Sequence, residues 1–393
     1  VSAPAPGSLR TDIERALLDA GLDAVGVTSV DAFPEVRRSL EARRAAGQHA
    51  GMSFTFRNPQ RSTEPDRLLR RATSIVVAAL GYVEPEPPRP DGPVARVARY
   101  AWRDHYQDLR TALGAGVEVL RAAGHRATIV TDQNGLVDRA AAHRAGIGWW
   151  GRNSNLLIPG AGSWFVLGSI VTDAQLPEDT EPVPDGCRTC TRCFTACPTA
   201  AIVDDGVIDA RRCLAWLVQD TGVFPRAFRM PLGDRLYGCD DCQDVCPPGR
   251  RTITGAAVSG QSVPVAIDRT RHLDAWVPVL ELLEATDDEL VERYGRWYIP
   301  NREVRYLRRN ALVVLGNVGD GTAPAQRSAV ARFVSDDDPL LRAHAVWTAA
   351  RLGLDDLVQA AGADGNPVVR AEVAMAPAVE RAPGAAVPVG AGS

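Results

Sequence analysis

Cys187-Arg-Thr-Cys190-Thr-Arg-Cys193-Phe-Thr-Ala-Cys197-Pro198 is the stretch from which the rest of the chain can be read. Its spacing, C-x2-C-x2-C-x3-C-P, is that of thiolates holding a [4Fe-4S] cluster, with the fourth cysteine serving a second cluster. Another group follows at Cys213 and in Cys239-Asp-Asp-Cys242-Gln-Asp-Val-Cys246-Pro247. Together these are all eight cysteines of the 393 residues, and two four-thiolate clusters need eight. Three closely spaced thiolates can wrap one cubane corner by corner, whereas the cysteine before proline points the other way. That geometry assigns Cys187, Cys190, Cys193 and Cys246 to one cluster, and Cys197, Cys213, Cys239 and Cys242 to the other.

Two other readings of the thiols fit less well. Disulfides suit small secreted domains, and the first residues do not read as a signal peptide. Zinc accepts four thiolates, but this spacing is not that of a zinc ribbon. Net charge is only -4 and 45% of residues are hydrophobic, as in an ordinary soluble protein. No run of 18 apolar residues occurs, so no membrane span is expected. Reduced thiolates without an export signal place the chain in the cytoplasm. The slightly acidic balance argues against indiscriminate nucleic-acid binding but leaves room for a local basic face.

Outward from the cysteines, strands and helices alternate. Ile13, Ala16, Leu17 and Ala20 have helical spacing, ended by Gly21, and a short strand begins at Ala24. Ser74-Ile-Val-Val-Ala-Ala-Leu-Gly is a continuous apolar run, as a buried strand has. Residues 84–93 are a proline-rich loop, and residues 95–106 are expected to open a helix with Leu109, Leu113, Val117 and Leu120 as its stripe. A strand from Ala127 delivers Asp132 at its end; a helix from Leu136 to Ala145, a glycine-rich loop and a strand from Trp164 to Val171 follow. Residues 9–180 therefore read as an α/β domain. Residues 181–250 form the ferredoxin-like two-cluster module, with a hairpin expected over residues 201–209. Residues 251–381 are helical: the segments starting at Arg309 and Arg342 resemble each other, and the one at Arg370 echoes them. Such spacing points to HEAT-like hairpins. Residues 1–8 should fray, and residues 382–393 should be a disordered tail.

With these pieces in place, the chain resembles the epoxyqueuosine reductase family. The resemblance is carried by the cysteine run, by Tyr237-Gly-Cys-Asp-Asp-Cys-Gln-Asp-Val-Cys-Pro and by Ala145-Gly-Ile-Gly-Trp-Trp-Gly-Arg-Asn. It implies an N-terminal cobalamin domain, a two-cluster module and a helical C-terminal part. It also implies removal of the epoxide oxygen of epoxyqueuosine in the tRNA anticodon loop, with electrons passing through the clusters to a corrin cobalt. Asp132 would be the acid. The family's acid lies fourteen residues before the first glycine of an A-G-(I/L)-G segment, as Asp132 lies before Gly146. The other reading of Asp132 is a helix N-cap.

By the same resemblance Arg61, Arg99, Asp104, Arg152, Asn153, Ser154, Asn155 and Asp240 are candidate cobalamin contacts. The chain departs from the family at His105-Tyr106, where Tyr-His is usual, and at Gly135 and Asp138, where many members carry Pro and Glu. The six histidines form no D-x-H-x-x-G motif. Gly146, Gly148 and Gly151 either admit a ligand close to the backbone or make a tight turn. Arg296, Trp297, Tyr298, Arg302, Arg305, Tyr306, Arg308 and Arg309 read either as a basic and aromatic footprint for tRNA or as a solvated helix face beside buried aromatics.

The partners implied are tRNA as substrate and an external reductant such as a flavodoxin or ferredoxin system, acting on a monomer. Three alternatives remain at this point. One is a corrinoid reductase resembling the reductive dehalogenases, which usually carry a twin-arginine signal. The others are a non-catalytic iron–sulfur electron-transfer protein and a relative with the same cofactors but another substrate.

Overall fold

In the computed structural model, residues 6–179, 181–253 and 273–382 are described. The expected frayed end up to residue 5 and the expected tail beyond Ala382 lie outside the described residues. Two compact units divide the chain, and each is discontinuous in sequence. The first draws on residues 1–85, 103–211 and 240–272, the second on residues 86–102, 212–239 and 273–393.

The first unit is built on a four-stranded sheet. Among its elements are α1 (Pro6–Asp19), β1 (Ala24–Ser29), β2 (Ser74–Gly81), α2 (His105–Ala122), β3 (Ala127–Thr131), α3 (Asp138–Arg144) and β4 (Phe165–Thr172), with a further helix at Pro34–Ala45 between β1 and β2. The strand order is β1-β2-β4-β3. Helices and strands alternate as expected, yet every pairing in this sheet is antiparallel, with Ser74 opposite Thr172 and Thr131 opposite Gly168.

The sheet is covered on both faces, which is why β2 is apolar throughout. Ile75, Val77 and Ala79 join Ala140, Ala141 and Ala142 of α3 in one core. On the opposite face, glycines let α2 come close. A Cβ on Gly168 would lie 2.9 Å from the Leu113 side chain, and one on Gly116 would lie 2.9 Å from both Leu17 and Ile170. The expected stripe Leu109, Leu113, Val117 and Leu120 is buried. Asp104 caps α2 by accepting a hydrogen bond from the Gln107 backbone N–H at 2.9 Å. The expected hairpin forms between Ile202–Asp204 and Val207–Ile208.

One element departs from the sequence expectation. Residues 95–106 do not open a helix: Val94–Val97 is a strand and α2 begins only at His105. That strand pairs in parallel with Arg235–Tyr237 and antiparallel with Trp276–Pro278. Both partners are distant in sequence, so local helical spacing gives no warning of them.

This three-stranded sheet belongs to the second unit, which is otherwise helical. Helices α4 (Arg305–Val318), α5 (Pro324–Val334), α6 (Pro339–Leu352) and α7 (Pro367–Met375) follow one another. Helix α6 contacts α4, α5 and α7. Tyr237 and Tyr294 both stack on Trp297, with ring centroids 4.6 and 4.5 Å away.

A buried ion pair ties the unit together. Arg229, fully buried, donates to Glu372 on α7 at 2.6 Å. Removing one partner strands the other charge in the core. Glu372→Ala should therefore lower the stability of this unit by about 3–5 kcal/mol, measured by pulse proteolysis in urea.

Candidate functional site

Thiols come first because their ligation is the most demanding requirement. None of the eight cysteines is in a disulfide, and all are half-buried. Burial raises the Cys246 thiol to about 11, and Cys187, Cys193 and Cys190 are the thiols whose charge acts on it. Cys193 is raised as well, by burial and then by Cys187 and Cys190. In the first unit the structure thus brings together the four cysteines assigned to one cluster. Four thiols that would repel one another if ionised without a metal suit a cationic iron–sulfur core. Donors are also in place: the Trp149 indole N–H reaches Cys187 Sγ at 3.5 Å, and the Ala201 backbone N–H reaches Cys197 Sγ at 3.2 Å. Such bonds to sulfur tune a cluster's potential. Of the other four cysteines, Cys197 and Cys242 belong to the first unit and Cys213 and Cys239 to the second.

Asp132 follows directly on β3, with φ +48° in the left-handed region. It is not a helix N-cap, because Val137 holds that position for α3. The residue is exposed, yet protein crowding its carboxyl raises its proton affinity, and the charge of Asp104 adds to this. Asp138, the first residue of α3, has Oδ1 buried with no hydrogen-bond partner among the described residues. Burial, then the charge of Asp132, pushes its carboxyl up to about 8 against a weaker opposing effect of Arg139. Three carboxyls are therefore electrostatically linked: Asp104 with Asp132, and Asp132 with Asp138.

A second polar cluster reaches toward the cysteines, with little local signal to announce it. Gln243 Oε1 accepts from Tyr82 Oη at 3.2 Å and from Ser163 Oγ at 2.9 Å. Its Nε2 donates to Asp240 at 3.3 Å. The Tyr82 ring lies 5.6 Å from that of His105 and edge-on to Trp164 at 6.0 Å. Burial and Asp240 raise the Tyr82 phenol well above its usual range, so it stays a donor. Gln243 could have been found as the polar residue inside the last cysteine motif; Tyr82 and Ser163 carry no signal of their own.

The other expected contacts are placed as follows. Asn153 is buried, donates to the Cys242 carbonyl at 3.5 Å and accepts from the Asn155 N–H at 3.2 Å. Arg152 is within 3.3 Å of Asp205 and donates to the Cys190 carbonyl at 3.5 Å. Ser154 has φ +64°, and its carbonyl accepts from Arg139 at 2.9 Å. Arg61 is exposed. Arg99, in the second unit, is buried, paired with Glu86 at 2.8 Å and stacked over Trp102.

The glycines of this loop answer to the fold's own packing. A Cβ on Gly148 would sit 2.3 Å from the Leu157 carbonyl oxygen, and one on Gly151 would sit 2.0 Å from the Leu157 side chain. Gly146 has φ +69° just past α3. Close packing accounts for Gly148 and Gly151, and a left-handed turn for Gly146.

The expected tRNA footprint is mostly committed to the interior of the second unit. Trp297, Tyr306 and Arg309 are buried. Arg296 pairs with Asp274, Arg305 with Glu303 and Asp338, and Arg308 with Asp287. Arg296, Tyr298 and Arg302 are the three of the eight that are exposed. Arginines interleaved with aromatics look the same in sequence whether they face phosphate or hold carbonyls and carboxylates.

Comparison with known proteins places these features. A family model described as a 4Fe-4S double cluster binding domain matches residues 186–249. The chain is 31% identical over 352 residues to the epoxyqueuosine reductase of Staphylococcus aureus, spanning 88% of this chain and 89% of that one. It is 32% identical to the epoxyqueuosine reductase of Xanthomonas campestris pv. campestris, over 90% of this chain and 99% of that one. A crystal structure of epoxyqueuosine reductase with an epoxyqueuosine-modified tRNA-Tyr stem loop superimposes with a TM-score of 0.83 at 27% identity, over 95% of this chain and 98% of that one. The Bacillus subtilis epoxyqueuosine reductase, in a form whose catalytic aspartate loop is swung out of the active site, gives a TM-score of 0.82 at 26% identity, over 95% and 99%.

Two measurements follow from this geometry. Cys246→Ala should lose half of the bound iron, read by iron and sulfide analysis; loss of both clusters in a folded variant would reject the partition. Asp138 keeps a proton in the folded state up to about pH 8, whereas an unfolded Asp releases it near pH 4. Its contribution to stability is therefore full below about pH 4 and lost as pH rises to about 8. Thermal scans should show wild type losing stability relative to Asp138→Asn across that window, with a constant difference above it.

Proposed function

The chain belongs to the epoxyqueuosine reductase family, and from that premise we propose how its residues divide the work of the reaction. The protein is an oxidoreductase that reduces epoxyqueuosine to queuosine in tRNA. Its 186–249 segment is a double [4Fe-4S] module. Cys187, Cys190, Cys193 and Cys246 hold one cluster, and the remaining four cysteines the other. Electrons enter from an external flavodoxin or ferredoxin system.

Asp132 is the proton donor to the oxygen released from the epoxide. The observation that carries this assignment is its position: an exposed carboxyl directly after a half-buried strand, with proton affinity raised by crowding and by Asp104. General acid catalysis gains from a raised proton affinity and needs an acid within hydrogen-bond reach of the substrate. The Bacillus subtilis relative has an aspartate-bearing catalytic loop, and the loop that starts at Asp132 is the counterpart we assign here.

Cobalamin supplies reducing cobalt chemistry at the epoxide when bound. A corrin carries a rim of primary amides, which need both donors and acceptors. The first unit offers Arg61, Arg152, Asn153, Ser154 and Asn155 as donors and Asp104 and Asp240 as acceptors, and this donor set fits. We draw the corrin contacts from that unit alone. Asn153 serves best, because its buried amide is tied to the Cys242 carbonyl and so fixes donor and cluster ligand together.

The linear division into a cobalamin domain (9–180), a cluster module (181–250) and a HEAT-like part (251–381) describes these roles. Tyr298 and Arg302 are the residues of the expected footprint that we assign to RNA. The enzyme works as a monomer in the cytoplasm, where its tRNA substrate is; no helix among the described residues is long and apolar enough to cross a membrane.

Anaerobic reconstitution with iron, sulfide and cobalamin, followed by mass spectrometry of nucleosides from epoxyqueuosine-containing tRNA, tests the reading. Wild type should yield queuosine. Asp132→Asn should keep its full iron content and lose about 10²–10⁴-fold in turnover; unchanged turnover would remove Asp132 from the mechanism.

A further inference from the structure

Clusters that feed a reduction must themselves be reduced by something that reaches them, and the cluster segment has a face suited to that contact. An open depression in the first unit is lined by Arg192, Thr195, Ala196, Val245 and Arg250. Arg192, Ala196 and Val245 directly precede Cys193, Cys197 and Cys246 in the chain. The helix Arg192–Ala196 contacts the helix Asp241–Asp244, so two cysteine segments meet there. A partner seated in the depression touches residues bonded directly to three of the cysteines.

The rim of the depression is basic. Arg188, Arg192 and Arg250 are exposed. Arg250 and the acids Asp241 and Asp244 are engaged within the protein, whereas the guanidinium groups of Arg188 and Arg192 have no acceptor among the described residues. Neighbouring arginines of the same unit are paired, Arg152 with Asp205 at 3.3 Å and Arg211 with Asp209 at 2.7 Å. Asp185, the acid nearest Arg188 in the chain, accepts instead from the backbone N–H groups of Cys187 and Arg188, at 2.8 and 3.3 Å. Arg188 also has φ +46°, in the left-handed region. Glycine would make that turn without strain, so the turn itself does not call for an arginine. Four thiolates outweigh the charge of the iron–sulfur core they hold, and a filled cluster would by itself repel an acidic protein. Exposed guanidiniums beside it oppose that repulsion and steer an acidic partner inward. Half-buried Ala196 and Val245 supply apolar contact between the charges.

We propose that this face is the docking site of a small acidic one-electron carrier protein, which Arg188 and Arg192 steer onto the depression. The inference rests on the reading of the cysteine segment as a double-cluster module supplied from outside. In each encounter the carrier is oxidised by one electron and a cluster is reduced by one; no bond is made or broken between them. Transient redox interfaces are small, and charge in them raises the rate of encounter more than it holds the partner. Two exposed charges beside an open depression fit that regime.

Anaerobic stopped-flow reduction of the clusters, without cobalamin or RNA, tests the site. The proteins are wild type, Arg188→Glu, Arg192→Glu, the double variant and Arg370→Glu, each reconstituted to equal iron content. Arg370 is an exposed arginine of the second unit, so its reversal controls for net charge. Reduced flavodoxin and reduced ferredoxin are the acidic carriers, and photoreduced deazariboflavin is a small uncharged reductant. With a carrier that reduces wild type, the rate constant should fall about tenfold or more in the double variant, and the deficit should shrink as ionic strength rises. Reduction by deazariboflavin should be unchanged, and titration calorimetry should show weaker binding of the oxidised carrier. Arg370→Glu should match wild type. Equal slowing with the carrier and with deazariboflavin would mean that the arginines serve the cluster itself, and would overturn the docking site. So would a double variant no slower than Arg370→Glu, or a wild type that neither carrier reduces. Normal carrier kinetics in a protein that fails to convert epoxyqueuosine would remove the proposed catalysis and leave the docking site standing.

Discussion

Much of the second unit is arranged around one buried guanidinium. Arg309 on α4 donates to the carbonyls of Leu217, Val218, Asp220 and Gly222, and to Asn310 Oδ1. Asn310 in turn donates to the carbonyls of Val218 and Leu236. A buried cation is tolerable only when its donors are satisfied, and here a whole turn of backbone satisfies them. Burial lowers its proton affinity to about 10, so it remains charged at neutral pH. The turn it holds follows Cys213, and Leu236 precedes Cys239, so the backbone beside two of the cysteines takes its position from a helix interior.

Neutral polar groups complete that interior. His344 on α6 is buried, its proton affinity pushed well down by burial and by Arg229. As a neutral ring it accepts from the Phe224 N–H at 3.1 Å, while its Nδ1 donates to the Leu340 carbonyl. The helical unit therefore fixes the backbone around two thiols. Of the arginines that look like a phosphate-binding face, Arg309 is spent on this task.

The first unit separates two kinds of traffic. Thiols and their N–H donors lie along the cysteine segments, and the carboxyls Asp104, Asp132 and Asp138 lie at the ends of α2, β3 and α3. Tyr82, His105, Ser163 and Gln243 form the polar cluster that adjoins Asp240 and Cys242. Keeping proton-bearing groups off the cluster ligands is chemically sensible, since a thiolate that gains a proton no longer holds iron.

Spacing alone determined the cluster chemistry, because thiolates within a few residues of one another can serve only a compact metal core. It also located β2, α2 and the hairpin after Cys197, where local periodicity and burial agree. Resemblance to a family located Asp132 through its distance from Gly146. Tertiary structure decided the rest, for reasons that depend on partners far away in sequence. The Val94–Val97 strand exists because Arg235–Tyr237 and Trp276–Pro278 pair with it. Arg309 is a core cation because loop carbonyls surround it. Asp138 has Oδ1 buried without a hydrogen-bond partner among the described residues because the chain packs around the start of α3. A sequence records which groups can ionise or donate; whether water or protein surrounds them is settled only when the chain has folded.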